Sequence, residues 1–151
     1  MALTKIQGLA VDNTPSFLIT GNNNAYVTTT PIVFAVTTID THNGVDLSNN
    51  KYVIPVAGVW SFALNLGIVR TTSAGAVYAQ IFRSRSGATT ITSGYCYFSP
   101  GNSSLTQYGS LSIEGSFDCL VGDEITAIFT QSNGHYYNGP AECRLMGFYQ
   151  G

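Results

Sequence analysis

Charge is the first thing this sequence has little of. Asp, Glu, Lys and Arg make up only 9% of its 151 residues, where about a quarter is usual for a soluble domain. Six basic side chains against eight acidic ones, net −2, cannot neutralise a run of phosphates, which excludes nucleic acid as a partner. The two histidines, His42 and His135, lie far apart, so no zinc ligand set at close spacing exists. Cys96, Cys119 and Cys143 are an odd, widely spaced set without a Cys-x-x-Cys. They are no disulfide framework and read as small buried apolar residues. No apolar run reaches the roughly 18 residues of a membrane span. Met1–Gly8 has one lysine but no continuous apolar segment, so no secretory signal is expected, and Ala2 stands where myristoylation needs glycine.

Catalytic constellations are missing as well. A glycosidase needs two carboxylates facing each other across a cleft. Here Asp123 and Glu124 are sequential within a turn, where carboxylates serve turn geometry. The densest polar stretch is Asp40-Thr41-His42-Asn43-Gly44-Val45-Asp46. Its oxygens are of the kind a hard cation takes, but it lacks EF-hand spacing and is expected to be a surface loop. Arg83-Ser84-Arg85 is expected to be a solvated hairpin end. There is no Gly-x-Ser-x-Gly elbow, phosphate loop or dinucleotide fingerprint. We therefore assign no catalytic residue, no metal and no cofactor, and expect no enzyme.

What is present is alternation. In Gly58-Val59-Trp60-Ser61-Phe62-Ala63-Leu64-Asn65-Leu66-Gly67-Ile68 the large apolar side chains fall on every second position. A period of two with one heavy face predicts a strand covering a core. Shorter runs repeat the pattern at 16–20, 31–36, 51–54, 76–83, 89–92, 95–98, 110–119, 125–129 and 143–149, separated by Gly, Asn, Ser and Pro. Eight or more strands and no sustained helical period predict an all-β, two-sheet antiparallel jelly-roll sandwich. We divide the chain into an N-terminal arm, 1–15, and a jelly-roll domain, 16–151. The last strand is apolar on both faces, Leu145 and Tyr149 on one and Met146 and Phe148 on the other. Such a strand must be covered on both sides, and a second subunit is the expected cover.

Three stretches resemble a known family. Pro55-Val56-Ala57-Gly58-Val59-Trp60-Ser61-Phe62 is similar to its Pro-x-x-Gly-x-aromatic-x-Phe signature. Cys119-Leu120-Val121-Gly122-Asp123-Glu124-Ile125 is similar to its apolar-x-x-Gly-Asp-x-apolar turn, and Leu145-Met146-Gly147-Phe148-Tyr149 to its closing strand. The family is the jelly roll shared by the globular head of the complement q subunit and tumour necrosis factor. The resemblance implies a homotrimer built around a threefold axis. Carried over by position, it implies that Ser61, Ala63, Ser112, Leu145 and Tyr149 face the axis. Trp60, Phe62, Ile113, Phe117, Met146 and Phe148 would then face the core.

The N-terminal texture, Met1 to Gln7 followed by a short polar lead, resembles small structural proteins of tailed bacteriophages. That implies a virion component made in host cytoplasm, a decoration or cement protein whose partner is the major capsid protein or another virion subunit. Leu3, Ile6 and Leu9 are the expected docking residues of the arm. The alternative is a trimeric fibre-tip or adhesin head that binds a cell-surface glycan or protein. Its expected recognition loop is Gln131–Gly139, with His135, Tyr136, Tyr137 and Asn138, because tyrosines among Asn and Gly make rigid amphipathic contacts.

Overall fold

The computed structural model describes residues 14–21, 25–26, 30–70, 75–86, 88–98, 107–131, 135–137 and 143–151. Among them the backbone forms strands and no helix. In chain order these are β1 (Ser16–Gly21), β2 (Ala25–Tyr26), β3 (Thr30–Pro31), β4 (Phe34–Asp40), β5 (Val45–Asp46), β6 (Lys51–Val53) and β7 (Gly58–Arg70). They continue with β8 (Gly75–Arg85), β9 (Ala88–Phe98), β10 (Gln107–Cys119), β11 (Glu124–Gln131), β12 (His135–Tyr137) and β13 (Cys143–Tyr149). The two runs at 89–92 and 95–98 form one continuous strand, β9, while the run at 31–36 is divided between β3 and β4.

Two antiparallel sheets result. In the first, β7 pairs β10 on one edge and both β13 and β12 on the other; β13 leads on to β1 and then β4, and β12 to β2. The second runs β5-β6-β11-β8-β9, with β3 also on β11. The core lies between the sheets, where the alternation read in the sequence places it. From the first sheet Trp60, Phe62, Leu64, Leu66, Ile68, Leu111 and Ile113 are buried; from the second, Val77, Ala79, Ile81, Ile125, Ala127 and Phe129. Full burial of such side chains is worth about 1.5–3 kcal/mol each. An aromatic layer fills the end where β1 begins and β13 finishes. Phe17 stacks on Tyr52 with centroids 3.9 Å apart, and Tyr149 meets Trp60 edge-on at 5.8 Å. The Trp60 indole N–H donates to the Val56 carbonyl at 2.9 Å, which satisfies the one polar atom of the largest buried ring.

The outermost strand of the first sheet, β4, departs from alternation: Ala35 to Ile39 are all exposed. Its pairing with β1 shifts register twice, between Leu18 and Ile19 and between Thr20 and Gly21. Bulges of this kind twist an edge strand away from the regular sheet and blunt it as a template for further pairing.

Candidate functional site: the outer face of the first sheet

Antiparallel register brings directly opposite residues to the same face. On the face turned away from the core this gives three rows across β1, β13, β7 and β10. One row reads Leu18, Met146, Ala63, Glu114. Below it lie Ser16, Phe148, Ser61, Ser116, and above it Thr20, Arg144, Asn65, Ser112. Strands sit about 4.8 Å apart, so Leu18, Met146 and Ala63 make a strip about 10 Å wide, with Phe148 beside it. Phe148 is 51% exposed. The rest of the face carries two charges, Arg144 and Glu114, and small polar residues that bond one another. The Ser61 and Ser116 hydroxyls bond each other at 2.8 Å, and Ser112 Oγ donates to Asn65 Oδ1 at 2.7 Å. Ser61, Ala63, Glu114, Ser116, Met146 and Phe148 border a shallow depression of about 320 Å³. A second, of about 520 Å³, opens beside Asn65, Gly67, Tyr108, Ser110 and Ser112.

Solved structures share the fold. The globular domain of zebrafish complement 1qA superposes with a TM-score of 0.64 at 16% identity, covering 91% of this chain and 99% of that one. Murine APRIL, solved at pH 5.0, gives 0.67 at 15% identity with the same coverages. The chain has the complement-head and tumour-necrosis-factor jelly-roll fold. No protein-family model matches the sequence, and no curated protein sequence does either.

Within this jelly roll the last strand is turned over relative to the expectation. Leu145, assigned to the axis-facing surface, is 0% exposed in the core opposite Leu64. Tyr149, assigned with it, packs on Trp60. Met146 and Phe148, expected inside, are the outward residues. The physical reason is visible at Gly147, which shares the inward parity. A Cβ there would come within 2.5 Å of Phe17 Cε1 and 2.8 Å of Phe62 Cδ1. Only hydrogen fits under those two rings, so the strand can present no other face to them. The signal was in the sequence: Arg144 and Gln150 share parity with Met146 and Phe148, and both are exposed. Ser61, Ala63 and Ser112 do lie on the outer face, and Trp60, Phe62 and Ile113 are buried in the core, with Phe117 packed against it.

The expected recognition loop is in part sheet. His135–Tyr137 form β12, between β7 and β2, because the long β7 offers free edge beyond the end of β13. Asn138 lies outside the described residues, as do the arm residues Leu3, Ile6 and Leu9. The boundary at residue 15 is crossed by a backbone bond, since the Pro15 carbonyl accepts from the Tyr149 N–H at 2.9 Å.

The polar stretch around His42 is a turn tied to its neighbours, Thr41 to Ser16 and Gly44 to Val53, with its carboxylates taken up by local bonds. Asp40 Oδ1 and Oδ2 accept from the Gly44 and Val45 N–H groups, each at 3.0 Å. Asp46 accepts from Ser48 Oγ at 2.6 Å and Asn49 Nδ2 at 2.7 Å, and these bonds hold its carboxyl below the usual carboxylate range. No group of three or more potential metal ligands occurs among the described residues.

Arg85 is not a solvated hairpin charge. Its Nε and Nη2 donate to Asp123 at 2.9 and 2.7 Å, and its Nη2 also reaches the Asp118 carbonyl at 3.0 Å. Asp123 is 3% exposed. Burial pushes its carboxyl up, but the bonds from Arg85 and from the Leu120 N–H outweigh this and leave it below the usual range. This pair fixes the Gly-Asp turn, and sequence reasoning missed it because Arg85 ends β8 while Asp123 sits in the crossing from β10 to β11, 38 residues away.

Proposed function

We propose that the chain is a non-catalytic association module, a homotrimer whose subunits cover one another's outer sheet faces. The observation that carries this is Phe148, half exposed with Met146 on a strand whose other face is core. β13 is an inner strand, flanked by β7 and β1, and among the described residues Phe148 on its outer face stays half exposed. Contiguous exposed apolar surface of this kind marks association sites. The small residues around it, Ser61, Ala63, Ser112 and Ser116, allow close backbone approach. The resemblance to the complement head and tumour necrosis factor supports threefold rather than twofold closure, and closed symmetry limits assembly to a defined particle.

The trimer's setting is a virion, where it acts as a decoration or cement protein by binding a capsid subunit. The Met1–Gln7 opening, the Gly, Ser, Thr and Asn texture and the shortage of charge support this setting. Light scattering behind a sizing column tests the first half. The expected mass is three times 16.1 kDa, and Phe148→Ser with Met146→Ser should lower it while leaving the strand content unchanged. A monomeric wild-type chain overturns the trimer. Mass spectrometry of purified particles tests the second half: decoration requires many copies per capsid, and a fibre-tip head only a few.

A further inference from the structure

The outer face of the first sheet has a second feature, at the end of β7 and β10 away from Phe148. There the two strands run in unbroken register, with Asn65 opposite Ser112, Gly67 opposite Ser110 and Val69 opposite Tyr108. These positions share the parity of Ser61 and Ala63 and so belong to the outer face. Gly67 and Ser110 bring almost no side chain to the middle row, while the rows on either side carry larger groups. The difference in bulk leaves the depression of about 520 Å³, within the range of about 300–1,000 Å³ that small-ligand sites occupy.

An aromatic ring, an amide and two hydroxyls converge on this hollow. Tyr108 is 74% exposed, more than any other large apolar side chain among the described residues. It stands on a strand, and the paired backbone fixes where its ring starts, so little freedom is lost when a ligand settles on it. Ser112 Oγ donates to Asn65 Oδ1 at 2.7 Å. With that proton committed, the Ser112 oxygen can only accept further bonds, while the Asn65 amide nitrogen carries donors. Ser110, exposed beside them, adds a hydroxyl that does both.

Charge narrows the ligand. No charged residue borders the hollow. The nearest by register are Arg144, opposite Asn65, and Glu114, two positions along β10 from Ser112. They are one of each sign, so no net field draws phosphate, sulfate or carboxylate here. A wholly apolar ligand would strand the amide and hydroxyls of the wall. What matches is a ring that is uncharged, apolar on one face and edged with hydroxyls that both donate and accept. A pyranose sugar has that chemistry. Its C–H face suits the Tyr108 ring, and its neighbouring hydroxyls suit the donor and acceptor set side by side at Asn65 and Ser112. The hollow is also clear of Phe148. Ser61 lies opposite Phe148, and from there to Gly67 along β7 is about 20 Å at about 3.3 Å a residue. A subunit contact of standard size, about 800 Å² a side, reaches about 16 Å from its centre.

We propose that this hollow binds a neutral sugar ring, the exposed end of a glycan. The site requires neither the trimer nor the virion setting proposed above. The test presents the full chain to an array of neutral oligosaccharides, with sialylated and sulfated ones beside them. The neutral oligosaccharide retained best is then titrated by calorimetry. The titration is repeated on Tyr108→Ala, on Tyr108→Phe and on Ser110→Leu, which fills the hollow. Tyr78→Ala is the control, since it removes a half-exposed tyrosine from β8 of the other sheet. Solution mass and melting temperature are measured for each. The expected result is binding by the wild type and by Tyr78→Ala, weakened about tenfold or more in Tyr108→Ala and Ser110→Leu and held within a few-fold in Tyr108→Phe, all at unchanged mass and melting temperature. Retention of no neutral oligosaccharide overturns the proposal, as does preference for sialylated or sulfated ones or undiminished binding by Tyr108→Ala. A fall in mass in Tyr108→Ala or Ser110→Leu also overturns it, because the hollow would then be a contact between copies of this chain.

Discussion

The Arg85–Asp123 pair is where the energetics of this fold can be tested most sharply. Asp123 is buried at 3% exposure and accepts three charge-assisted bonds from Arg85 plus the Leu120 N–H. Removing one partner from a buried pair costs about 3–5 kcal/mol. Arg85 keeps 29% of its side chain in water, so a guanidinium left alone is partly solvated and Asp123→Ala belongs at the low end, near 3 kcal/mol. Arg85→Ala strands a buried carboxylate and should destabilise as well. The double variant removes both charges, so a cycle should return a coupling of about 2 kcal/mol. At roughly 2–4 °C per kcal/mol for a chain of this size, Asp123→Ala should lower the melting temperature by about 6–12 °C. The assay is urea unfolding at one fixed protomer concentration, since association adds its own stability. A coupling below about 0.5 kcal/mol would refute the reasoning. It would mean that the backbone bonds to Ile54 hold the turn without the ion pair.

Other expectations follow from the same geometry. Because the folded Asp123 carboxyl is held below its unfolded value, its stabilisation is present above about pH 4 and is lost as pH falls through the folded value; Asp123→Asn should flatten the acid limb of a stability–pH curve. Leu145→Ala, in the core, should cost about 2–5 kcal/mol, whereas Phe148→Ser should leave protomer stability nearly unchanged and act on mass; equal thermal losses would mean the strand is not oriented as described. Gly147→Ala should destabilise by at least about 1–3 kcal/mol through overpacking against Phe17 and Phe62, read as a shift in the urea midpoint. Burial pushes the Cys119 thiol up to about 11 and the Cys143 thiol up to about 12, so peptide mapping should find neither alkylated in folded protein at pH 8 and both alkylated after unfolding.

Much of this fold was legible because its alternation is one-sided. β7 could be placed from Trp60 to Ile68 since its other face carries Ser61, Ala63 and Asn65, and only one orientation buries the large side chains. The same logic found β10 and β11. It was weaker where the pattern itself broke. At β4 two bulges within seven residues cancel the period, so Val36 and Ile39 are apolar yet exposed. At β12 the sequence His135-Tyr136-Tyr137, set among Gly and Asn, has loop composition. It joins a sheet because β7 is thirteen residues long and β13, covering Trp60 to Leu66, leaves the last part of its edge open. That is a tertiary fact with no local signature.

The candidate site lies on a strand whose facing local hydrophobicity leaves open. On β13 both parities are apolar, so burying Leu145 and Tyr149 or burying Met146 and Phe148 returns a similar area, and a resemblance that aligns positions cannot by itself correct a strand turned over. Two residues break the tie, for different reasons. Arg144 and Gln150 are polar and must stay wet, which sends Met146 and Phe148 outward with them. Gly147 is small and must face whatever is most crowded, which sends Leu145 and Tyr149 inward with it. The face left outside is then Phe148 and Met146 set among serines. Arg144 and Glu114 on the same face supply its charge, and Phe148 and Met146 its apolar part. In the proposed trimer the strand that closes the core also meets the partner, so changes to its two parities should separate folding from assembly.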